Sequence, residues 1–328
     1  MNALPIVAVL GATATGKSDL AVRLAEELDG EVVNADALQL YRGMDIGTAK
    51  IPPDERRGIP HHLLDVLEVT EEASVSTYQR EARAAIAAIR GRGRTPVVVG
   101  GSGLYVRALL DDIEFPPTDA RLRAQLEARA EAIGAPALHR ELAASDPEAA
   151  AGIGVHDTRR IVRALEVGQL TGRSFRAFLP RPVHHDPATI QLGLSRPRPL
   201  LHARIALRVR RMVEAGLLEE TRHLRAQGLE RSATARRAIG YEQALAVLAG
   251  TMSCADAVSA TEAGTRRLVR KQDTWFRRDP RITWLEAGED LEQLTSAALA
   301  RVARGSEACI TAGGAAEEGG RGQEDGQE

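Results

Sequence analysis

The sequence predicts an α/β fold, a parallel sheet flanked by helices and interrupted by an all-helical insertion. Three observations predict it. The apolar run Ile6 to Leu10 leads into a glycine-bounded loop and then a helix-like segment, Ser18 to Leu28. Further short apolar runs, at Val32-Val33, Val97-Val98-Val99 and Ile190 to Leu194, read as core strands. From about 118 to 186 the apolar spacing is helical and no strand candidate appears.

The first loop, Gly11-Ala12-Thr13-Ala14-Thr15-Gly16-Lys17-Ser18, fits G-x-x-x-x-G-K-[ST], the P-loop pattern, in its strand–loop–helix setting. The sheet is therefore expected to be P-loop NTPase-like. Gly11 and Gly16 permit turns that a Cβ would obstruct. The turned backbone and the helix N-terminus aim N–H groups at one point, where an anion can sit. Lys17 adds a mobile positive charge, and the Ser18 hydroxyl can reach a Mg2+ that bridges phosphate oxygens. Only Lys17, Lys50 and Lys271 are lysines among 43 basic residues, so a lysine here carries information. The loop indicates a polyphosphate or pyrophosphate ligand and does not by itself specify ATP.

Composition narrows the classes. The 328 residues, 44% hydrophobic, suit a soluble protein of one large or two modest domains. Two cysteines, Cys254 and Cys309, with no C-x-x-C pair, exclude a disulfide scaffold and a cysteine-based zinc site. No apolar run reaches membrane-spanning length, and the N-terminus leads straight into a strand without a signal-peptide layout. No membrane partner and a cytoplasmic location are expected. Residues Arg198 to Arg281 hold 17 basic and 9 acidic residues, a net of +8, an excess that could meet a polyanion.

Along the chain, Glu31 to Asn34 reads as a strand that places Asp36 at a strand end, where α/β sheets bind ligands. Ile59 to Val66 reads as a turn and a third short strand. Its pair His61-His62 points two ways on a strand, which favours structural or substrate-edge roles over a metal site. After the strand Pro96 to Val99, Gly100-Gly101-Ser102-Gly103 lets backbone approach a ligand and makes Ser102 a candidate donor. In the insertion, Arg159 and Arg163 share a helix face suited to phosphates. The helix from Leu200 to Ala215 carries Arg204, Arg208 and Arg211, and an arginine near a P-loop can stabilise a departing phosphate. The expected organisation is a core over 1–117, a helical insertion over 118–186, the rest of the core with C-terminal helices over 187–304, and a disordered acidic tail over 305–328.

Together these residues resemble the tRNA dimethylallyltransferase family, over about residues 5–286. The marks are the P-loop, Asp36-Ala37-Leu38-Gln39-Leu40-Tyr41, Gly43-Met44-Asp45-Ile46-Gly47-Thr48-Ala49-Lys50 and Pro60-His61-His62-Leu63-Leu64-Asp65. They continue with Gly100-Gly101-Ser102-Gly103-Leu104-Tyr105, Arg159-Arg160-Ile161-Val162-Arg163-Ala164-Leu165-Glu166, Ala238-Ile239-Gly240-Tyr241 and Gln272-Asp273-Thr274-Trp275-Phe276-Arg277. Two departures stand out. Ala37 replaces the family's usual serine, and Ser102 replaces its usual threonine, which keeps the hydroxyl and loses the methyl.

The resemblance implies transfer of a dimethylallyl group from dimethylallyl diphosphate to N6 of the adenosine 3′ of the tRNA anticodon. It implies that the P-loop holds the donor's diphosphate with Mg2+ on Ser18, that Lys17 and Arg208 neutralise the leaving pyrophosphate, that Asp36 is the general base and that Ser102 orients donor or amine. It also implies contacts to the anticodon stem-loop from Asp36, Ala37, Leu38, Gln39 and Ser102, from Arg159, Arg160, Ile161, Val162 and Arg163, and from Arg237, Gly240 and Tyr241. A monomer is expected. The alternative reading is a P-loop kinase of a small metabolite using ATP. It lacks a Walker-B strand and a nucleotide lid, and it has no use for the basic C-terminal segment.

Overall fold

The first strand is apolar at every position because helices cover both of its faces. The computed structural model describes residues 4–178, 182–288 and 290–318. It divides into two compact units, Met1–Leu110 with Asp186–Glu328, and Asp111–His185.

In the first unit, β1 (Ile6–Gly11) runs through the P-loop into α1 (Lys17–Glu27). Then follow β2 (Gly30–Asn34), β3 (His61–His62), α2 (Val75–Gly91), β4 (Thr95–Gly100) and α3 (Gly103–Leu110). The second unit holds α4 (Ala120–Ile133), α5 (Ala135–Ser145), α6 (Pro147–Ala151) and α7 (Thr158–Thr171). The chain then returns to the first unit with β5 (Thr189–Ser195), α8 (Arg198–Glu214), α9 (Leu217–Gln227) and α10 (Tyr241–Leu248). It ends with α11 (Cys254–Phe276), β6 (Ile282–Glu286) and α12 (Leu291–Glu318).

The strands form one parallel sheet in the order β3-β2-β4-β1-β5-β6. Side chains alternate across it. Ile6, Ala8 and Leu10 join one core with Ile86, Ile89 and Phe276, while Val7 and Val9 join another with Leu20, Leu24 and Leu294. Central β1, between β4 and β5, delivers the P-loop to the carboxyl edge of the sheet, where α/β folds bind ligands.

The expected third strand is only two residues long. Leu63 (φ 61°) and Asp65 (φ 56°) are left-handed, which no strand continues through. Both histidines are structural: His62 Nε2 meets Glu31 Oε2 at 2.6 Å, and His61 Nδ1 meets the Ile59 carbonyl at 2.8 Å.

The tail also departs from expectation. Residues 305–318 continue α12 instead of being disordered. Leu294, Ala298 and Val302 dock the helix on the sheet's core. Residues 319–328 of the expected acidic tail lie outside the described residues.

The helical unit begins at Asp111, which pairs with His184 and so ties its two ends together. Asp119, Asp146 and Asp157 cap α4, α6 and α7 by accepting backbone N–H groups. Its core combines Leu126, Leu138, Leu142, Ile161, Val162 and Leu165. Within it, the fully buried Glu166 accepts from Arg163 (2.7 Å), Arg123 (2.9 Å) and the Asp119 N–H (2.9 Å). Burial by itself would raise this carboxyl, but those partners hold it below the usual range. Its contribution is therefore full above the unfolded carboxyl value and fades as pH falls through the folded one. Glu166→Ala leaves two arginines without their partner and is expected to cost about 2–4 kcal/mol, read by urea denaturation of the full chain at pH 7.

Candidate active site

The loop geometry follows from its glycines. Gly11 has φ 141°, and a Cβ there would lie 2.6 Å from the Leu194 carbonyl oxygen on β5. Gly16 starts α1 at φ 97°, a conformation side chains disfavour. Thr15 Oγ1 donates to the Ala12 carbonyl at 2.9 Å and closes the turn. The Thr13 N–H is taken by Gln272 Oε1 (2.9 Å), while Gln272 Nε2 donates to the Gly101 carbonyl (2.9 Å). One α11 side chain thus joins the P-loop to the glycine-rich turn after β4.

Three cations stand over this loop. Lys17 Nζ donates to the Ala12 carbonyl, Arg204 Nε to the Ala14 carbonyl and Arg208 Nη2 to the Thr48 carbonyl, each at 3.0 Å. With Ser18, Lys50 and Arg211 they line a cleft of about 620 Å³. Burial pushes the Lys17 ammonium down to about 8, Asp36 partly opposes this, and Arg208 adds to it. Burial also lowers Arg208, again opposed by Asp36. Lys17, Arg208 and Asp36 therefore share one electrostatic neighbourhood, although 191 positions separate Lys17 from Arg208 in the sequence.

Asp36 is aimed by its own neighbours. Its N–H donates to Asn34 Oδ1 (3.0 Å), and its Oδ1 accepts the Leu38 N–H (3.1 Å). Asn34 Nδ2 donates to the Asp36 and Leu63 carbonyls at 3.1 and 3.0 Å, so Asn34 sets the exit from β2. Ser102 Oγ accepts the Ala37 N–H at 3.1 Å, which leaves its own hydrogen available to a ligand. Gln39 Nε2 donates to the Thr48 carbonyl at 3.4 Å, and the half-buried Leu38 packs beside Tyr41 and Met44. The strand beside β1, β4, ends in Gly100-Gly101-Ser102 with no carboxylate, and the carboxylate coupled to both Lys17 and Arg208 is Asp36, after β2.

The residues expected at the RNA divide. Arg159, Arg160 and Arg237 are exposed. Arg163 is tied inward to Glu166 and to the Pro116 and Pro117 carbonyls (2.8 and 2.9 Å). Ile161 and Val162 are buried in the helical core, on the inner face of α7, so they are not surface contacts. Gly240 and Tyr241 are also buried, and the Tyr241 hydroxyl donates to Glu220 Oε1 at 2.6 Å. Sequence reasoning did not single out Gln272 or Glu220 as functional. For Gln272 a signal existed. It falls on the buried face of α11 with Thr261, Thr265, Val269 and Phe276, and a buried amide requires partners.

A family model described as IPP transferase matches residues 39–279. The chain belongs to the IPP transferase family. A tRNA dimethylallyltransferase of Kocuria rhizophila is 58% identical over 92% of this chain and 96% of its own length. One of Streptomyces coelicolor is 56% identical over 91% and 96%. The crystal structure of the tRNA isopentenylpyrophosphate transferase of Bacillus halodurans shares 36% identity with a TM-score of 0.68, covering 92% of this chain and 98% of that one. A eukaryotic dimethylallyltransferase acting on tRNA reaches a TM-score of 0.76 at 28% identity, covering 87% and 74%.

For this IPP transferase family member, a divalent cation is compatible with the donor chemistry. Ser18 offers one hydroxyl at the cleft, and among the described residues no cluster of three His, Cys, Asp or Glu forms a cage. Among the described residues, no helix is long and apolar enough to cross a membrane.

An anion in the cleft raises the Lys17 value from about 8, so binding takes up a proton. Inorganic pyrophosphate is therefore expected to bind more weakly as pH rises from 7 to 9. The loss is at most about tenfold per unit above 8. Lys17→Met should flatten that dependence, as measured by titration calorimetry.

Proposed function

We propose that the chain transfers the dimethylallyl group of dimethylallyl diphosphate to N6 of the adenosine on the 3′ side of the anticodon in tRNA. The products are N6-isopentenyladenosine in tRNA and pyrophosphate. The observation that carries the reading is the pair of cations at the cleft, Lys17 and Arg208, available to a leaving diphosphate, both of which feel the Asp36 carboxylate. The curated relatives named tRNA dimethylallyltransferase support it. A metabolite kinase is disfavoured, since β4 brings no metal-binding acid next to the P-loop.

The chemistry follows. The loop N–H groups, Lys17 and Arg208 bind the donor's diphosphate and orient C1 of the allyl group towards Asp36. The N6 lone pair forms the new bond to C1. The C1–O bond breaks, and its electron pair leaves with pyrophosphate, where Lys17 and Arg208 neutralise the growing charge. The Asp36 carboxylate takes the N6 proton. Ser102, fixed by the Ala37 N–H, donates to the donor or orients the amine. Ser18 would hold a Mg2+, which supplies further charge neutralisation on the diphosphate when bound. An exocyclic amine in a base stack cannot reach such a cleft, so the target adenosine has to be extruded. Arg159, Arg160 and Arg237, exposed and cationic, suit the phosphates of the stem-loop. Gln39, at the Asp36 turn, suits a base edge.

The deciding assay uses an unmodified anticodon stem-loop RNA, labelled dimethylallyl diphosphate and magnesium. Label is expected on an adenosine of the RNA, and label that stays with the donor would reject the reading. Asp36→Ala should lower kcat by about 10²–10⁴ and leave RNA affinity within about twofold. Combined Arg159→Glu and Arg160→Glu should raise KM for RNA at least tenfold and reduce its salt dependence, with the donor's Kd unchanged.

A further inference from the structure

Gly240 and Tyr241 are buried, yet Tyr241 reaches the cleft by another route. Glu220, on α9, accepts the Asp45 N–H (3.2 Å), the Ile46 N–H (2.9 Å) and the Gly47 N–H (3.3 Å). Its Oε1 also takes the Tyr241 hydroxyl at 2.6 Å, and the Tyr241 oxygen in turn accepts the Gly47 N–H at 3.2 Å. The Tyr241 ring is fully buried and packs so closely on Gly47 that an added Cβ would run into it. Three consecutive N–H groups converging on one carboxylate fix the path of this loop as a nest fixes an anion.

The next residue, Thr48, presents its carbonyl to Arg208 at 3.0 Å, the one hydrogen bond of that guanidinium among the described residues. Thr48 Oγ1 closes back on the Met44 carbonyl at 2.7 Å. On the far side, the buried Lys50 binds the Tyr41 carbonyl (2.9 Å), Asp45 (2.6 Å) and Asp65 (2.5 Å). Asp45, Ile46, Ala49 and Lys50 form a wall of the cleft. A shift in residues 45–47 therefore moves both that wall and the carbonyl on which Arg208 rests.

We propose that Glu220 and Tyr241 are positioning residues: they hold the loop 45–48 so that the Thr48 carbonyl sets the Arg208 guanidinium for the leaving pyrophosphate. This rests on the reading of the cleft as a diphosphate site. Neither residue lines the cleft, so both act through Arg208.

The test is a double-mutant cycle on the full chain, with inorganic pyrophosphate as the probe and titration calorimetry at pH 7 as the readout. Tyr241→Phe keeps the ring against Gly47 and removes only the hydroxyl. It is expected to weaken pyrophosphate about tenfold when Arg208 is present. In an Arg208→Ala background the same change is expected to alter Kd less than about twofold. Glu220→Gln, which turns an N–H towards the loop's N–H groups, should repeat the pattern and serves as a second route if Tyr241→Phe folds poorly. Equal factors in both backgrounds, or a lowered thermal midpoint with Kd unchanged, would overturn the link and leave the diphosphate site standing. Absence of pyrophosphate binding by the unsubstituted protein would overturn the diphosphate reading and the link with it. Failure to label RNA, with the cycle as expected, would reject only the prenyl transfer.

Discussion

Three cations of the cleft rest on main-chain carbonyls instead of carboxylates. Lys17, Arg204 and Arg208 each donate to a loop carbonyl, at Ala12, Ala14 and Thr48, and among the described residues none of the three forms an ion pair. A carbonyl fixes the direction of a cation without cancelling its charge. The cost is visible at Lys17, whose ammonium is held near 8 by burial and by the neighbouring Arg208. An anion would relieve that repulsion, so the cleft is electrostatically prepared for one. Asp36 compensates part of the cost at both Lys17 and Arg208.

Carboxylates elsewhere do structural work. Lys50 shows the contrast: Asp45 and Asp65 neutralise it, and it pins a loop. Glu166 holds the helical unit through two arginines, and Glu31 joins Arg92 and His62 at the β2 edge. Glu220 gathers three backbone N–H groups and a tyrosine. The chain thus separates two kinds of charge, paired ions that set the backbone and carbonyl-anchored ions that await a ligand. An arginine's place in a motif does not tell which kind it is, as Arg159 and Arg163 demonstrate one turn apart on α7. Arg159 is exposed, whereas Arg163 is tied to Glu166 and the Pro116 and Pro117 carbonyls.

The amino-acid sequence by itself determined the sheet strands, the P-loop and the placing of Asp36 after β2, because each rests on local rules: side-chain period, glycine stereochemistry and the order of strand, turn and helix. Family motifs extended this to the reaction. Burial was less legible. Ile161, Val162 and Tyr241 belong to functional-looking motifs yet face inward, since a motif records which residues recur and not which way they point. Only the tertiary structure decided that Gln272 bridges the two glycine-rich turns and that Glu220 governs the loop before Thr48. These contacts span 171 to 259 residues, and no local pattern encodes which distant backbone N–H a buried polar side chain will satisfy. That is settled when the sheet and helices pack and every buried polar group must find its partner.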